Sequence, residues 1–268
     1  MLDADRGLVL RAIRLRETST IVSILGRRHG KLRLVARGVR APGSRVGASL
    51  ESGNEVDFVF TLRPGRDLGN LREASLLRAW LGSLRRLEPL AVGWAALELL
   101  ERVVPDGAPE DGLLGDTWCY LEALQAAPER SAAVLLFYAF ELRLLERLGL
   151  RPGLDACRAC GGGPAGTVML DLGAASWVCT RCRPPGTPGL LLPEELVAML
   201  RALQDHPWDA KDLRASARTR RSVGVVLHRL LGAHVERYRY PHALRLLRRT
   251  DPPGAGPGRG PMSERPRE

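Results

Sequence analysis

Apolar and polar positions alternate over the first eighty residues, and near Leu81 they switch to intervals of three and four. Alternation marks strands, and the longer interval marks helices. Val9, Ile13 and Leu15 alternate with Arg14 and Arg16, Thr20 to Leu25 is β-branched and apolar, and Arg27-Arg28-His29-Gly30 reads as a turn. Leu32, Leu34 and Ala36 then point one way, while Lys31, Arg33 and Arg37 point the other, toward solvent, with Val35 an apolar exception among the cations. A basic loop from Gly38 to Gly47 follows. Val56, Phe58 and Phe60 alternate with Asp57, Val59 and Thr61, and a last strand is expected over Leu68 to Leu76. Five short strands with basic connections predict a small closed barrel of the OB type, although a sandwich of similar size leaves the same trace.

Leu84, Leu87, Ala91, Trp94 and Leu97 recur at helical intervals, in a helix expected to stop before Pro105. Leu113 to Gln125 and Arg130 to Leu148 predict two more, the second closed by Gly149 and Pro152. Leu, Phe and Tyr at these spacings read as core, and Cys119, between Trp118 and Tyr120, as a buried thiol. Pro193-Glu194-Glu195 opens another helix, with acids in its first turn. A long helix is expected from Arg214 to about Tyr238, gathering Arg214, Arg218, Arg221 and Arg229 on one side. Val223, Val226, Leu227, Leu230 and His234 gather opposite, which makes His234 a core-edge histidine rather than a ligand. The pattern thus predicts an α+β multidomain chain: an OB-type barrel over residues 1–80, a helical body in two parts (81–156 and 187–250), and an inserted segment at 157–186. Residues 251–268, rich in Pro and Gly, are expected to be a disordered tail.

Charge sharpens this picture because it is segregated. Residues 11–45 hold ten Lys or Arg against the single acid Glu17, and residues 214–249 hold ten against Glu236. Residues 46–213 hold 16 basic and 23 acidic residues, so the formal +10 of the chain sits in two blocks. A folded surface dense in cations is the footprint of a phosphate-backbone binder. The candidate contacts are Arg14, Arg16, Arg27, Arg28, Lys31, Arg33, Arg37, Arg40 and Arg45, with Arg214, Arg218, Arg221 and Arg229 as a second set. Met1-Leu2-Asp3-Ala4-Asp5 lacks the cationic start of a signal peptide, and no apolar run approaches the length of a membrane span. The expected location is the cytoplasm, in association with the nucleoid, where cysteines stay reduced.

Cys157 and Cys160 are separated by two residues, as are Cys179 and Cys182, with eighteen residues between the pairs. Two such knuckles supply four thiolates to a tetrahedral Zn²⁺, and short strands at Thr167 to Leu170 and Ser176 to Val178 make the intervening hairpin a zinc ribbon. Redox-active dithiols or a disulfide are the alternatives. Four thiolates leave no open position, so one structural Zn²⁺ per chain is expected.

The segments His29-Gly30-Lys31, Ala36-Arg37-Gly38-Val39-Arg40, Phe140 to Leu150 and Leu154 to Gly161 together resemble the RecO family of bacterial recombination mediators, over roughly residues 7 to 249. The resemblance implies binding of single- and double-stranded DNA, annealing of complementary strands, and help in loading recombinase on DNA coated by single-strand-binding protein. It also implies a RecR-like partner and the C-terminal tail of the single-strand-binding protein as a second, and it places Lys31, Arg33, Arg37, Arg40 and Arg45 on the DNA face. Phe58 and Phe60 read as buried, which leaves the barrel's cations almost without rings for base stacking. Such a surface grips backbone and leaves base edges free to pair.

An RNA-binding or ribosome-associated module is the alternative, since charge does not distinguish the two nucleic acids. An enzyme fits poorly. Gly26 to Lys31 has three residues between its glycines where a phosphate loop has four, Leu32 stands where Ser or Thr would hold Mg²⁺, and the acids of the middle region are expected mostly on solvent-facing helix positions.

Overall fold

The computed structural model describes residues 2–15, 17–39, 45–63, 65–107, 112–127, 129–183, 186, 188–236 and 238–248. The expected tail at 251–268 lies outside them. Five strands, β1 (Leu2–Arg14), β2 (Thr20–Gly26), β3 (Gly30–Ala36), β4 (Asn54–Thr61) and β5 (Leu68–Ala79), close a barrel in the order β1-β2-β3-β5-β4, with a short helix α1 (Arg45–Ser49) before β4. All neighbours are antiparallel except β3 and β5. Val9, Val22, Ile24, Leu34, Val56, Phe58 and Phe60 fill its interior.

Leu8, Leu10 and Leu25 are as deeply buried, yet they belong to a second core shared with the helices. The run Leu8-Val9-Leu10 is therefore covered on both faces, a pattern that alternation alone misses. Beyond it β1 emerges: Ile13 and Leu15, which alternate with arginines, are 43% and 45% exposed.

The body consists of α2 (Leu87–Val103), α3 (Leu113–Ala126), α4 (Arg130–Arg147), α5 (Glu194–Asp205), α6 (Ala217–His234) and α7 (Arg245–Arg248), with 3-10 turns at Pro207–Asp212 and His242–Leu244. Helix α4 ends where expected: Gly149 takes φ 75°, and the Leu150 N–H donates to the Leu145 carbonyl at 2.8 Å. Helix α6 begins later than expected, because the Ser216 hydroxyl caps it by accepting from the Thr219 N–H at 3.0 Å. Arg214 consequently precedes the helix. On α3 the buried stripe runs through Leu114, Thr117, Leu121 and Leu124, so Cys119, expected to be buried, is exposed. Trp94, expected in the core, is also at the surface, because α2 buries the stripe Ala91, Val92, Ala95, Ala96, Leu99 and Leu100 instead. Between α4 and α5 the chain forms a three-stranded sheet of β6 (Val168–Asp171), β7 (Ser176–Val178) and β8 (Leu190–Leu192), ordered β7-β6-β8. Among the described residues no helix is long and apolar enough to cross a membrane.

The expectation of solvent-facing acids fails at Glu141, on the inner face of α4 and 3% exposed. It lies close enough to Tyr120, Tyr138 and Tyr238 for its charge to oppose ionisation of their phenols. Burial pushes its carboxyl up to about 8. A carboxyl raised in the fold binds a proton that the unfolded chain has already released. Stability is therefore fully present below the ordinary carboxylate range and falls as pH rises toward 8. We expect Glu141→Gln to flatten that decline, so that thermal melts at pH 5 and pH 8.5 differ less in the variant than in the parent.

Candidate nucleic-acid interface and metal centre

The outer face of β3 is not uniformly solvated. Arg33 and Arg37 are exposed as expected, but Lys31 is buried at 6%. The register explains the correction: Lys31 pairs with Leu25, and both lie where the body sits on the barrel. The Lys31 ammonium donates to the Glu101 carbonyl at 2.6 Å and pairs with Asp106 at 3.1 Å, while the Gly107 N–H donates to the Lys31 carbonyl. Its charge is spent within the protein.

Arg27 and Arg28 sit on the exposed turn between β2 and β3, and Gly30 takes the left-handed φ of 64° that closes it. Asp5, itself 8% exposed, accepts from the backbone N–H groups of Arg28 and His29 at 3.0 and 3.1 Å and contacts His29 Nδ1 at 2.9 Å. Asp3 takes His29 Nε2 at 2.9 Å and pairs with Arg28 at 3.0 Å. The Ala4 N–H, helped by His29 and Arg28, holds the Asp3 carboxyl below its usual range. Arg28 is thus partly neutralised, whereas Arg14, Arg27, Arg33 and Arg37 are exposed and make no ion pair among the described residues. Arg16 and Arg40 lie outside those residues, as does the side chain of Arg45. Arg11, absent from the sequence-based candidates, belongs with the exposed cations. Its row across the barrel, Arg11–Ser23–Arg33, places it on the same face as Arg33. A bulge at Leu10, where the β1–β2 register shifts, puts it there. Phe58 and Phe60 are each 2% exposed, so the barrel offers neither ring to a ligand.

The second basic set divides. Arg218, Arg221 and Arg229 line the exposed side of α6, and Val223, Val226, Leu227 and Leu230 its buried side. Arg214, off the helix, stands 3.9 Å from Glu129. His234 is a structural residue, with Nε2 2.7 Å from the Leu172 carbonyl.

The two cysteine knuckles converge. The sulfurs of Cys157, Cys160, Cys179 and Cys182 lie within 4.8 Å of one another, and all four cysteines are free thiols. Gly161, with φ 71°, tightens the first knuckle by donating its N–H to the Cys157 carbonyl. The second is joined to the first by the Cys179 N–H, which points at Cys157 Sγ. That N–H lowers the Cys157 thiol, while hydrogen bonds to Cys179 and Cys160 push Cys182 up. Sulfurs this close oppose one another's ionisation, and a cation among them removes that conflict. The set can hold a metal ion. Trp177, on β7 two residues before Cys179, is fully buried and donates to the Leu154 carbonyl at 3.0 Å.

Together these features define an OB-barrel protein with a helical body and a four-cysteine ribbon able to hold a metal ion. The model for the Recombination protein O N terminal matches residues 1–80, that for the Recombination protein O C terminal matches residues 84–243, and the chain belongs to this family. It is 40% identical over 185 residues to the DNA repair protein RecO of Anaeromyxobacter sp. (strain Fw109-5), covering 68% of this chain and 71% of that one. With the DNA repair protein RecO of Desulforudis audaxviator (strain MP104C) the identity is 30% over 244 residues, covering 91% and 95%. With that of Exiguobacterium sibiricum it is 28% over 239 residues, covering 89% and 92%.

Because Lys31 is a buried partner and Arg33 an exposed cation, their reversals should separate. Lys31→Glu places a carboxylate beside Asp106 and is expected to cost about 3–5 kcal/mol in urea unfolding, whereas Arg33→Glu should stay within about 0.5 kcal/mol.

Proposed function

We propose that this protein is a non-catalytic DNA-binding mediator of recombinational repair, which anneals complementary single strands and assists recombinase loading on DNA coated by single-strand-binding protein. One observation carries the reading: the barrel presents unpaired arginines while its own aromatic rings are buried. Proteins that hold single strands by base stacking need exposed rings. A face of guanidinium groups instead neutralises phosphates, offsets the repulsion between two strands and leaves base edges available for pairing. Arg14, Arg27, Arg33 and Arg37 are the leading contacts, with Arg11 beside them. Arg218, Arg221 and Arg229 on α6 form a second surface suited to a second strand. The family membership supports a RecR-like partner and the acidic, apolar C-terminal tail of single-strand-binding protein as further ligands, at the nucleoid in the cytoplasm.

The metal in this reading is Zn²⁺. Four thiolates satisfy its tetrahedral shell and leave no site for substrate, so when bound it supplies structure alone. Protein purified without chelators should contain about one zinc per chain by elemental analysis. Cys160→Ser should lose it and melt at a lower temperature.

The DNA reading is tested by Arg33→Glu with Arg37→Glu. Annealing of complementary oligonucleotides, followed by fluorescence, is expected to be lost while the melting temperature is kept. Removing two phosphate contacts should flatten the salt dependence of single-strand affinity by about 1.4 in log–log slope. The same reversal at Arg63, Arg66 and Arg72, which are exposed on the barrel but outside the dense basic block, should do far less.

A further inference from the structure

An open cleft of about 520 Å³ lies where the barrel meets the body, lined by Leu10, Arg11, Trp94, Leu97 and Leu246 among others. Its size falls within the roughly 300–1,000 Å³ typical of small-ligand sites. Trp94 projects from α2 and is 41% exposed. The contrast with Trp80 and Trp177 is informative. Both are buried, and both donate their indole N–H, to Glu55 and to the Leu154 carbonyl. Trp94 alone of these three presents its ring to an open space.

The charges around the cleft are unevenly committed. Glu98 accepts from the backbone N–H groups of His242 and Ala243, and Glu101 accepts from the Ser23 hydroxyl. Arg102 donates to the Arg239 carbonyl and faces Glu98 at 3.6 Å. Arg11 makes no hydrogen bond or ion pair through its guanidinium with the described residues, and the bulge at Leu10 aims it at the cleft. The α2 side therefore carries carboxylates that repel a phosphate, while the barrel side offers the uncommitted guanidinium of Arg11. A fitting ligand is planar, aromatic and uncharged where it meets Trp94, and anionic where it meets Arg11. A nucleotide unit of a single strand has that shape and charge. The row Arg11–Ser23–Arg33 also leads from the cleft onto the basic barrel face.

We propose that this cleft receives one unpaired base of single-stranded DNA, stacked on Trp94 with its phosphate against Arg11. The proposal rests on the reading of the barrel face as a DNA contact and adds to it the ring that the barrel lacks. A single stacked base anchors the strand without masking its neighbours. A duplex, whose bases are paired and stacked on one another, has none to offer.

The test compares the affinity of the full chain for a labelled oligothymidylate and for the same backbone with abasic residues. Wild type is expected to favour the base-bearing strand on the order of tenfold. Trp94→Ala should bring that ratio to about one without changing the salt slope, and Trp94→Phe should retain part of it. Tryptophan emission should be quenched by oligothymidylate in wild type and far less in Trp94→Phe, a readout that serves even if the alanine variant folds poorly. A wild-type ratio near one, a ratio unchanged in Trp94→Ala, or a base preference seen only with the matched RNA strand would overturn the proposal. Failure of the barrel reading appears elsewhere, as normal binding by the Arg33→Glu, Arg37→Glu variant.

Discussion

Three leucines on the outside of the barrel, Leu8, Leu10 and Leu25, complete the core of the helical body, and the rest of the molecule depends on that shared apolar surface. Each contributes about 1.5–3 kcal/mol by burial. Around them the polar groups are matched in pairs: Lys31 with Asp106 and the Glu101 carbonyl, Ser23 with Glu101, and Arg6 and the Trp80 indole on the two oxygens of buried Glu55. Because β1 contributes Val9 to one core and Leu8 and Leu10 to the other, neither core is complete without the same strand. Docking also decides which cations are left over for a ligand.

That sorting of charge links the fold to the proposed function. A count of basic residues treats Lys31, Arg28 and Arg33 alike, but the first is buried against the body, the second is paired with Asp3 and the third is uncommitted. The uncommitted cations are fewer than the sequence suggests, and among them Arg11 and Arg33 share one face of the barrel. The ribbon stands apart from this electrostatics. It lies between α4 and α5, with the Cys179 N–H pointing at Cys157 Sγ and the buried Trp177 of β7 tied to the Leu154 carbonyl, as suits a structural element.

Local signals made much of this legible. The two-residue spacing within each cysteine pair announced the ribbon, since a tight turn brings i and i+3 thiols together whatever surrounds it. Gly149 closed α4 and the aromatic alternation of β4 filled the barrel, for equally local reasons. What alternation could not supply was the identity of the second face. A strand position that points out of a barrel meets solvent or another part of the chain, and only tertiary packing decides, so alternation gives the surroundings of Arg33 but not those of Lys31. The same blindness hid Trp94: its helical spacing is that of a core residue, but α2 turns a neighbouring stripe inward. Arg11 is re-aimed by a bulge that the pattern of apolar positions does not reveal. Strand β8 has only three residues and pairs with β6 across a stretch of Pro and Gly, too short to register as a strand by periodicity.

In the sequence, Asp3 and Asp5 precede the basic block of residues 11–45. In the fold, Asp5 fixes the turn that carries Arg27 by accepting from two of its backbone N–H groups, and a Cβ on Gly26 would lie 2.5 Å from that carboxylate, so the neighbouring residue is kept bare for it. The backbone of the turn is therefore ordered before any ligand arrives. What association must still immobilise there is side-chain freedom, about 0.5–1.5 kcal/mol for each arginine that engages. An acidic residue that weakens the overall attraction for a polyanion would, in the proposed function, also lower the entropic penalty of binding one at this turn.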